Sequence, residues 1–165
     1  KDTIFSAKDD GRDIDVDTLI VNNNGQVLKK LTSGNNLITF EYDVNGNLSK
    51  RSESYCFTYN DKLIEYLEVW KYKYDAPNKL YSAMKLPFWI QEVLDDVEGY
   101  PILANHLLTE ITNQDFEKED GQIVDTGKIY TSIVSYQLNE HGYPTEITFL
   151  EDGEKTSAKV TYAEY

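Results

Sequence analysis

Aromatic side chains are the residues of this sequence best suited to binding chemistry. Two groups stand out: Trp70, Tyr72 and Tyr74, which alternate along one predicted strand, and Phe88, Trp89 and Tyr100, which surround a predicted helix. Aromatic faces offer a large contact area at low entropic cost, so both groups are candidate stacking surfaces for sugar rings. The same residues also have a structural interpretation, as cross-strand packing and as the contacts of a helix that caps the sheet.

No pattern in the sequence identifies a nucleophile, a metal or a cofactor. Cys56 lies between Tyr55 and Phe57 in a predicted strand, where we expect a small buried residue rather than a reactive thiolate. The two histidines, His106 and His141, form no zinc-binding pattern. We therefore assign no catalytic residue, no metal ligand and no cofactor.

Carboxylates are abundant but do not by themselves point to a site. Asp13, Asp15 and Asp17 begin like a calcium loop, but Thr18 and Asn24 stand where that loop needs Gly and Glu. We interpret the three as the charged face of an edge strand, which discourages aggregation. The sequence has 29 Asp and Glu residues, so it neither excludes a carboxylate pair for glycoside hydrolysis nor points to one.

Composition excludes several classes of function. The 165 residues carry a net charge of −13 and the sequence pI is about 4.5, so we expect no binding to nucleic acid or to an anionic membrane surface. No apolar run approaches the roughly 20 residues of a membrane-spanning helix. One cysteine excludes an intrachain disulfide. The length favours a single domain over residues 1–165.

Recurring turns separate short alternating segments and predict an all-β fold. Asn-Gly or Asp-Gly turns follow one another along the chain, as in Asn24-Gly25, Asn45-Gly46 and Asp152-Gly153, and such pairs favour β-hairpins. Apolar and polar residues alternate between them. We predict an antiparallel meander of about nine to eleven strands in a strongly curved or barrel-like sheet, since local hairpins leave no room for crossover helices.

One segment departs from this pattern. Trp89, Val93 and Val97 have helical spacing, and Pro87 and Gly99 suit the start and the end of a helix. We predict a short helix near residues 88–98 that caps one end of the sheet, within a non-repeat helical insertion at about 86–106. The acidic stretch from Asp115 to Asp125 is predicted to be a loop.

The turn sequences resemble those of known bacterial proteins. Tyr42–Leu48 is similar to the YD-type hairpin repeats of secreted bacterial proteins. The segments His106–Ile111, Tyr136–Ile147 and Val160–Tyr165 follow the order seen in uncharacterised lipoproteins of gut Bacteroidetes with a porin-like antiparallel sheet. This resemblance implies export and a lipid anchor upstream of Lys1, at the periplasm or the outer-membrane surface. The sequence begins with Lys1 and not with Met, which also suggests that an export signal has been removed. The resemblance implies no activity.

These observations favour a non-enzymatic domain of the cell envelope. We expect it to bind a glycan or a protein partner through exposed Tyr and Trp side chains. The alternative is a carbohydrate-active hydrolase that uses a carboxylate pair on the concave face of the sheet. Two facing carboxylates in a pocket open to solvent would favour that alternative.

Overall fold

A computed structural model describes residues 2–9, 14–32, 34, 36–59, 62–78, 104, 106–119 and 122–161. Within these ranges the chain forms ten β-strands and no helix: β1 (Asp2–Asp9), β2 (Ile14–Val21), β3 (Val27–Leu31), β4 (Leu37–Tyr42), β5 (Leu48–Tyr59), β6 (Lys62–Pro77), β7 (His106–Glu119), β8 (Gln122–Leu138), β9 (Pro144–Glu151) and β10 (Glu154–Lys159). In the same ranges, no helix has the length and hydropathy needed to cross a lipid bilayer.

All ten strands belong to one antiparallel sheet in which spatial order equals chain order. This confirms the predicted all-β meander. The register shifts in five of the nine strand pairs, and such bulges bend and twist a sheet. β1 and β10 each have one hydrogen-bonded neighbour, so the sheet stays open.

Three connections use the same five-residue turn. It begins at Asn22 between β2 and β3, at Asp43 between β4 and β5, and at Asn139 between β8 and β9. In each turn the side-chain oxygen of this first residue accepts hydrogen bonds of 2.8–3.0 Å from the amides two and four residues later. The fourth residue is a glycine with φ of 77–81°, a conformation that costs a residue with a Cβ atom about 1–2 kcal/mol.

These turns all follow even-numbered strands of a meander, so they lie at the same end of the strands. We call this border of the sheet, which is formed by turns and not by an edge strand, the turn edge. Gln26 Nε2 donates to the Gly46 carbonyl at 3.2 Å and so joins two neighbouring turns. Asn47 is 1% exposed, donates to Asp43 at 2.9 Å and accepts from the His106 amide at 3.1 Å. Burial alone would raise the pKa of Asp43, but hydrogen bonds from Asn47 and Asn45 hold it below its usual value.

The hydrophobic core lies next to the turn edge, on the face of the sheet that we call the inner face. Its buried side chains come from strands β2 to β9: Leu19, Val21, Val27, Ile38, Phe40, Leu48, Tyr72, Leu108, Ile111, Val134 and Ile147. These residues belong to one cluster, so eight strands share a single core. Apolar burial is the main stabilising contribution available to such a sheet.

The opposite, outer face is more exposed and carries cross-strand ion pairs. Lys50 binds Glu41 at 2.8 Å and Lys73 binds Glu110 at 2.7 Å. Cys56 also lies on this face, since its register partner is Glu65 and not an inner-face residue. The structure shows Cys56 exposed, so the expectation of a buried thiol is wrong. β5 extends beyond the core at this point and nothing in the described ranges covers its outer face.

Two further expectations are corrected by the strand order. The acidic stretch from Asp115 is not a loop, because β7 continues to Glu119 and β8 begins at Gln122. Charged residues lie on both faces there, and the inner-face positions hold the half-buried acids Asp115 and Glu117 in place of apolar residues. Asp17 does not lie on an edge strand, because β2 is paired with both β1 and β3. Its carboxylate instead binds Lys30 at 3.2 Å.

The predicted helix near residues 88–98 lies outside the described residues, as does nearly all of the predicted insertion at 86–106. β7 begins at His106, the last residue of that range.

We predict that Gly46→Ala lowers the free energy of unfolding by about 1–2 kcal/mol, because alanine must adopt a positive φ at the fourth position of the turn. Urea denaturation followed by far-UV circular dichroism measures this change. Gly34→Ala is the matched control, since its added Cβ meets nothing closer than Thr32 Oγ1 at 3.7 Å and its φ is not in the left-handed region. Equal losses in both variants would show that the turn conformation does not matter.

Candidate functional site

The four strands β5 to β8 are 12–17 residues long and extend past the core, away from the turn edge. On the inner face of this extension β5, β6 and β7 carry aromatic and polar side chains instead of aliphatic ones. We call this surface the polar belt and define it by nine residues: Arg51, Glu53, Tyr55, Tyr66, Glu68, Trp70, Asn113, Asp115 and Glu117. All nine are half-buried.

Strand register arranges the polar belt in rows across the strands. Arg51 lies opposite Trp70, which lies opposite Asn113. In the next row Glu53 lies opposite Glu68, which lies opposite Asp115. Directly opposed residues have Cβ atoms about 4.5–5.5 Å apart, and like charges in such positions destabilise a sheet. The row of three carboxylates therefore needs nearby groups that offset its repulsion.

Arg51 supplies the only positive charge of the polar belt. Its guanidinium donates to Glu53 Oε2 at 2.8 Å and lies 4.5 Å from the centre of the Trp70 ring. A charge-assisted hydrogen bond is about twice as strong as a neutral one, and a cation over an indole face adds a further attraction. Arg51 is thus engaged by its own neighbours.

Two tyrosines donate to two of the three remaining acids. The Tyr55 hydroxyl donates to Glu68 at 2.8 Å and the Tyr66 hydroxyl donates to Glu117 at 2.7 Å. Burial, together with the bond to Glu68, raises the pKa of Tyr55. The bond to Glu117, followed by burial, raises the pKa of Tyr66. Both hydroxyls are thereby kept protonated and point toward carboxylates.

The rings of these tyrosines form a short ladder with Phe57. Tyr55 and Tyr66 stack with centroids 5.8 Å apart, and Phe57 and Tyr66 stack at 5.2 Å. Phe57 and Tyr130, which lies opposite Asn113 on β8, are each 40% exposed. The polar belt is therefore bordered by two aromatic rings that solvent reaches.

Two acceptor atoms in the polar belt make no hydrogen bond. They are the side-chain oxygens Asn113 Oδ1 and Asp115 Oδ1, and both atoms are buried. Asn113 and Asp115 are two residues apart on β7 and share the inner face. Unsatisfied buried acceptors are uncommon in folded proteins and call for an explanation. Each of the two atoms costs stability, because a buried acceptor has lost its water without gaining a donor.

The structure places the three aromatic residues predicted on β6 along the boundary between core and polar belt. Trp70 is half-buried under Arg51, and Tyr72 is 5% exposed within the core. The Tyr74 hydroxyl donates to the Leu48 carbonyl at 2.8 Å, and burial raises its pKa. Phe88, Trp89 and Tyr100 lie outside the described residues. Binding by these six residues stays a prediction.

Most of the polar belt was not singled out by the sequence. Glu53, Glu68, Asp115 and Glu117 are ordinary members of a chain with 29 acidic residues. The sequence does allow one pairing to be predicted, that of Glu53 with Glu68. If Asn60-Asp61 is the whole connection between the two strands, Glu53 lies opposite Glu68, as the register shows. Among the described residues, no group of three or more His, Cys, Asp or Glu side chains is placed to hold a metal ion.

Comparison with known proteins gives a distant structural likeness. The chain is similar over 93% of its length to a solved structure of a porin-like protein from Bacteroides uniformis, of which it covers 74%, with 13% sequence identity and a TM-score of 0.36. No protein-family model matches the sequence, and no curated protein matches it.

We predict that the protein loses stability above pH 10 because its buried tyrosines ionise only when it unfolds. Burial raises the pKa of Tyr136 to about 12. Since the folded-state pKa exceeds the unfolded value near 10, this contribution is complete below pH 10 and is lost as the pH rises toward 12. Urea midpoints from pH 9 to 11.5 measure the loss, and Tyr136→Phe should show a shallower decline. The exposed Tyr130→Phe is the control; identical slopes in all three proteins would contradict the assignment.

Proposed function

We propose that this chain is a non-enzymatic binding domain of the bacterial cell envelope and that it holds a glycan on the polar belt. The observation that supports this most is the mixture of groups on one half-buried surface. Aromatic rings, carboxylates, an amide and a guanidinium converge there, and binding sites for small polar ligands combine apolar walls with a few placed polar groups.

The chemistry of sugars fits this surface. A sugar ring offers hydroxyl groups that donate hydrogen bonds and C–H faces that pack on aromatic rings. The half-buried carboxylates of Glu53, Glu68 and Glu117 are acceptors for such hydroxyls. The exposed rings of Phe57 and Tyr130 offer apolar contact beside them. The sequence also leaves a protein partner open, but these acceptors favour a ligand that is rich in hydroxyl groups.

Location in the envelope is the part of the proposal that rests on sequence. The hairpin sequences resemble those of exported lipoproteins, which implies export and a lipid anchor at the periplasm or the outer-membrane surface. An acidic chain with a net charge of −13 is also poorly suited to nucleic acid.

Hydrolysis is the second candidate, and one observation favours it. Glu68 and Asp115 are directly opposed on neighbouring strands, so their Cβ atoms lie about 4.5–5.5 Å apart and two carboxylates share one part of the face, as the carboxylate pair of a glycosidase does. Against this, three of the four acids already bind a donor of the polar belt: Glu53 binds Arg51, Glu68 binds Tyr55, and Glu117 binds Tyr66. Binding without cleavage is the better supported function.

Binding is tested by calorimetric titration with a panel of neutral oligosaccharides. We expect Glu68→Gln and Phe57→Ala each to weaken binding about tenfold, since a hydrogen bond to a charged group or a buried ring contact contributes roughly 1.4 kcal/mol or more. Glu140→Gln is the matched control, because Glu140 is 86% exposed on a turn at the turn edge and undergoes the same change of charge. No binding to any member of the panel, or equal affinity in all variants, would contradict the proposal.

The same panel separates binding from hydrolysis. A binding domain releases no new reducing ends during prolonged incubation. A hydrolase releases them, and Asp115→Asn would abolish the release.

A further inference from the structure

Two of the turns at the turn edge contain the sequence Asn-Gly, at Asn24-Gly25 and at Asn45-Gly46. An asparagine in this sequence is prone to deamidation, because glycine has no Cβ atom to hinder the approach of its own amide nitrogen to the asparagine side chain. The glycine nitrogen bonds to Cγ of the asparagine and ammonia leaves. Water then opens the resulting succinimide ring to aspartate or to isoaspartate, so the reaction consumes only water.

The closed turn opposes this reaction at both positions. The Gly25 amide donates to the Asn22 carbonyl at 3.0 Å, and the Gly46 amide donates to the Asp43 carbonyl at 3.1 Å, so each attacking nitrogen is held by another acceptor. Both Asn-Gly asparagines are exposed, and the two glycines have nearly equal φ of 77° and 81°. Exposure and backbone conformation therefore do not distinguish the two sites, and each reacts at a rate set by how often its turn opens.

The two turns differ in the groups that keep them closed. Asn22 anchors the first turn with a neutral amide oxygen, which accepts from two backbone amides at 2.9 and 3.0 Å. Asp43 anchors the second turn with a carboxylate, which accepts from two backbone amides at 2.8 Å. Hydrogen bonds to an ionised acceptor are about twice as strong as neutral ones. The second turn is also tied to β7, because the buried Asn47 side chain accepts from the His106 amide.

From this comparison we infer that Asn24 is the site at which the folded protein deamidates and that Asn45, in the same Asn-Gly sequence, is protected. Deamidation of Asn24 replaces a neutral amide by a carboxylate and so adds one negative charge to the turn edge. The isoaspartate product also routes the backbone through the side chain, which lengthens the turn by one carbon atom. A turn with fixed hydrogen-bond spacing cannot take up this atom unchanged, so the reaction loosens the β2–β3 hairpin.

Tryptic peptide mapping separates the two sites, because Lys29 and Lys30 lie between Asn24 and Asn45 in the sequence. The protein is incubated at pH 8 and 37 °C, and fragmentation spectra give the rate at which each asparagine exchanges its amide for a carboxylate. We expect Asn24 to react about tenfold faster than Asn45 in the folded protein, as for one charge-assisted hydrogen bond. In guanidinium chloride, which opens both turns, the two sites should react at similar rates.

Exchanging the two anchors is the matched test. Asp43→Asn gives the second turn the neutral anchor of the first, so deamidation of Asn45 should accelerate about tenfold. Asn22→Asp gives the first turn the charged anchor of the second, so deamidation of Asn24 should slow by a similar factor. Glu140→Gln removes a charge from a different turn of the same edge and should leave both rates unchanged. The melting temperature of each variant confirms that it is folded.

Three results would overturn the inference. The first is a rate at Asn45 that equals or exceeds the rate at Asn24 in the folded protein. The second is an unreacted Asn24 in the folded protein under conditions in which the unfolded chain deamidates. The third is a pair of rates that does not respond to the exchange of anchors. None of these results depends on whether the polar belt binds a glycan.

Discussion

Strand register is the constraint on which this structure depends. In a sheet, successive side chains point to opposite faces, so a slip of one residue between β5 and β6 would move Glu68 and Trp70 to the outer face. The turn edge prevents such slips for the strand pairs it joins. At Asp43 and its counterparts, a side-chain oxygen receives two amides and a glycine takes the positive φ. The core beside this edge, to which β5, β6 and β7 all contribute, favours the β5–β6 and β6–β7 registers through burial.

This register lowers the stability of the sheet at the polar belt. Three carboxylates on adjacent strands repel one another, and the structure offsets that repulsion with Arg51 on Glu53 and the Tyr55 hydroxyl on Glu68. It does not offset all of it, since Asp115 Oδ1 has no donor. Stability alone would favour apolar or oppositely charged residues at these positions. Departures from that rule are expected where a surface binds a ligand, and this is the physical link between the fold and the proposed function.

Local sequence predicts much of this fold. The rest depends on pairing between segments that are far apart in the sequence and on which faces of the sheet are covered. The Asn-Gly and Asp-Gly turns predict hairpins correctly, and the two residues between Tyr59 and Lys62 determine the β5–β6 register. The β6–β7 register brings Asp115 to Glu68, and it spans the long connection between Pro77 and His106, so no local pattern predicts it. Cys56 was expected inside because burial was inferred from alternation, which cannot tell whether a face is covered. The stretch from Asp115 was expected to be a loop because strands were sought by apolar alternation, and this strand places half-buried acids at its inner-face positions instead.

The central claim is that a ligand lies on the inner face of β5 to β7, beyond the core. It is tested most directly by ¹⁵N NMR during titration with the oligosaccharide of the calorimetric panel that binds most tightly, because three side chains of the polar belt carry resolvable N–H signals. The account predicts that the Trp70 indole, the Arg51 Nε–H and the Asn113 amide shift together, and that the outer-face Gln114 amide does not. Shifts confined to Gln114 and other outer-face groups, with these three signals unmoved, would contradict it.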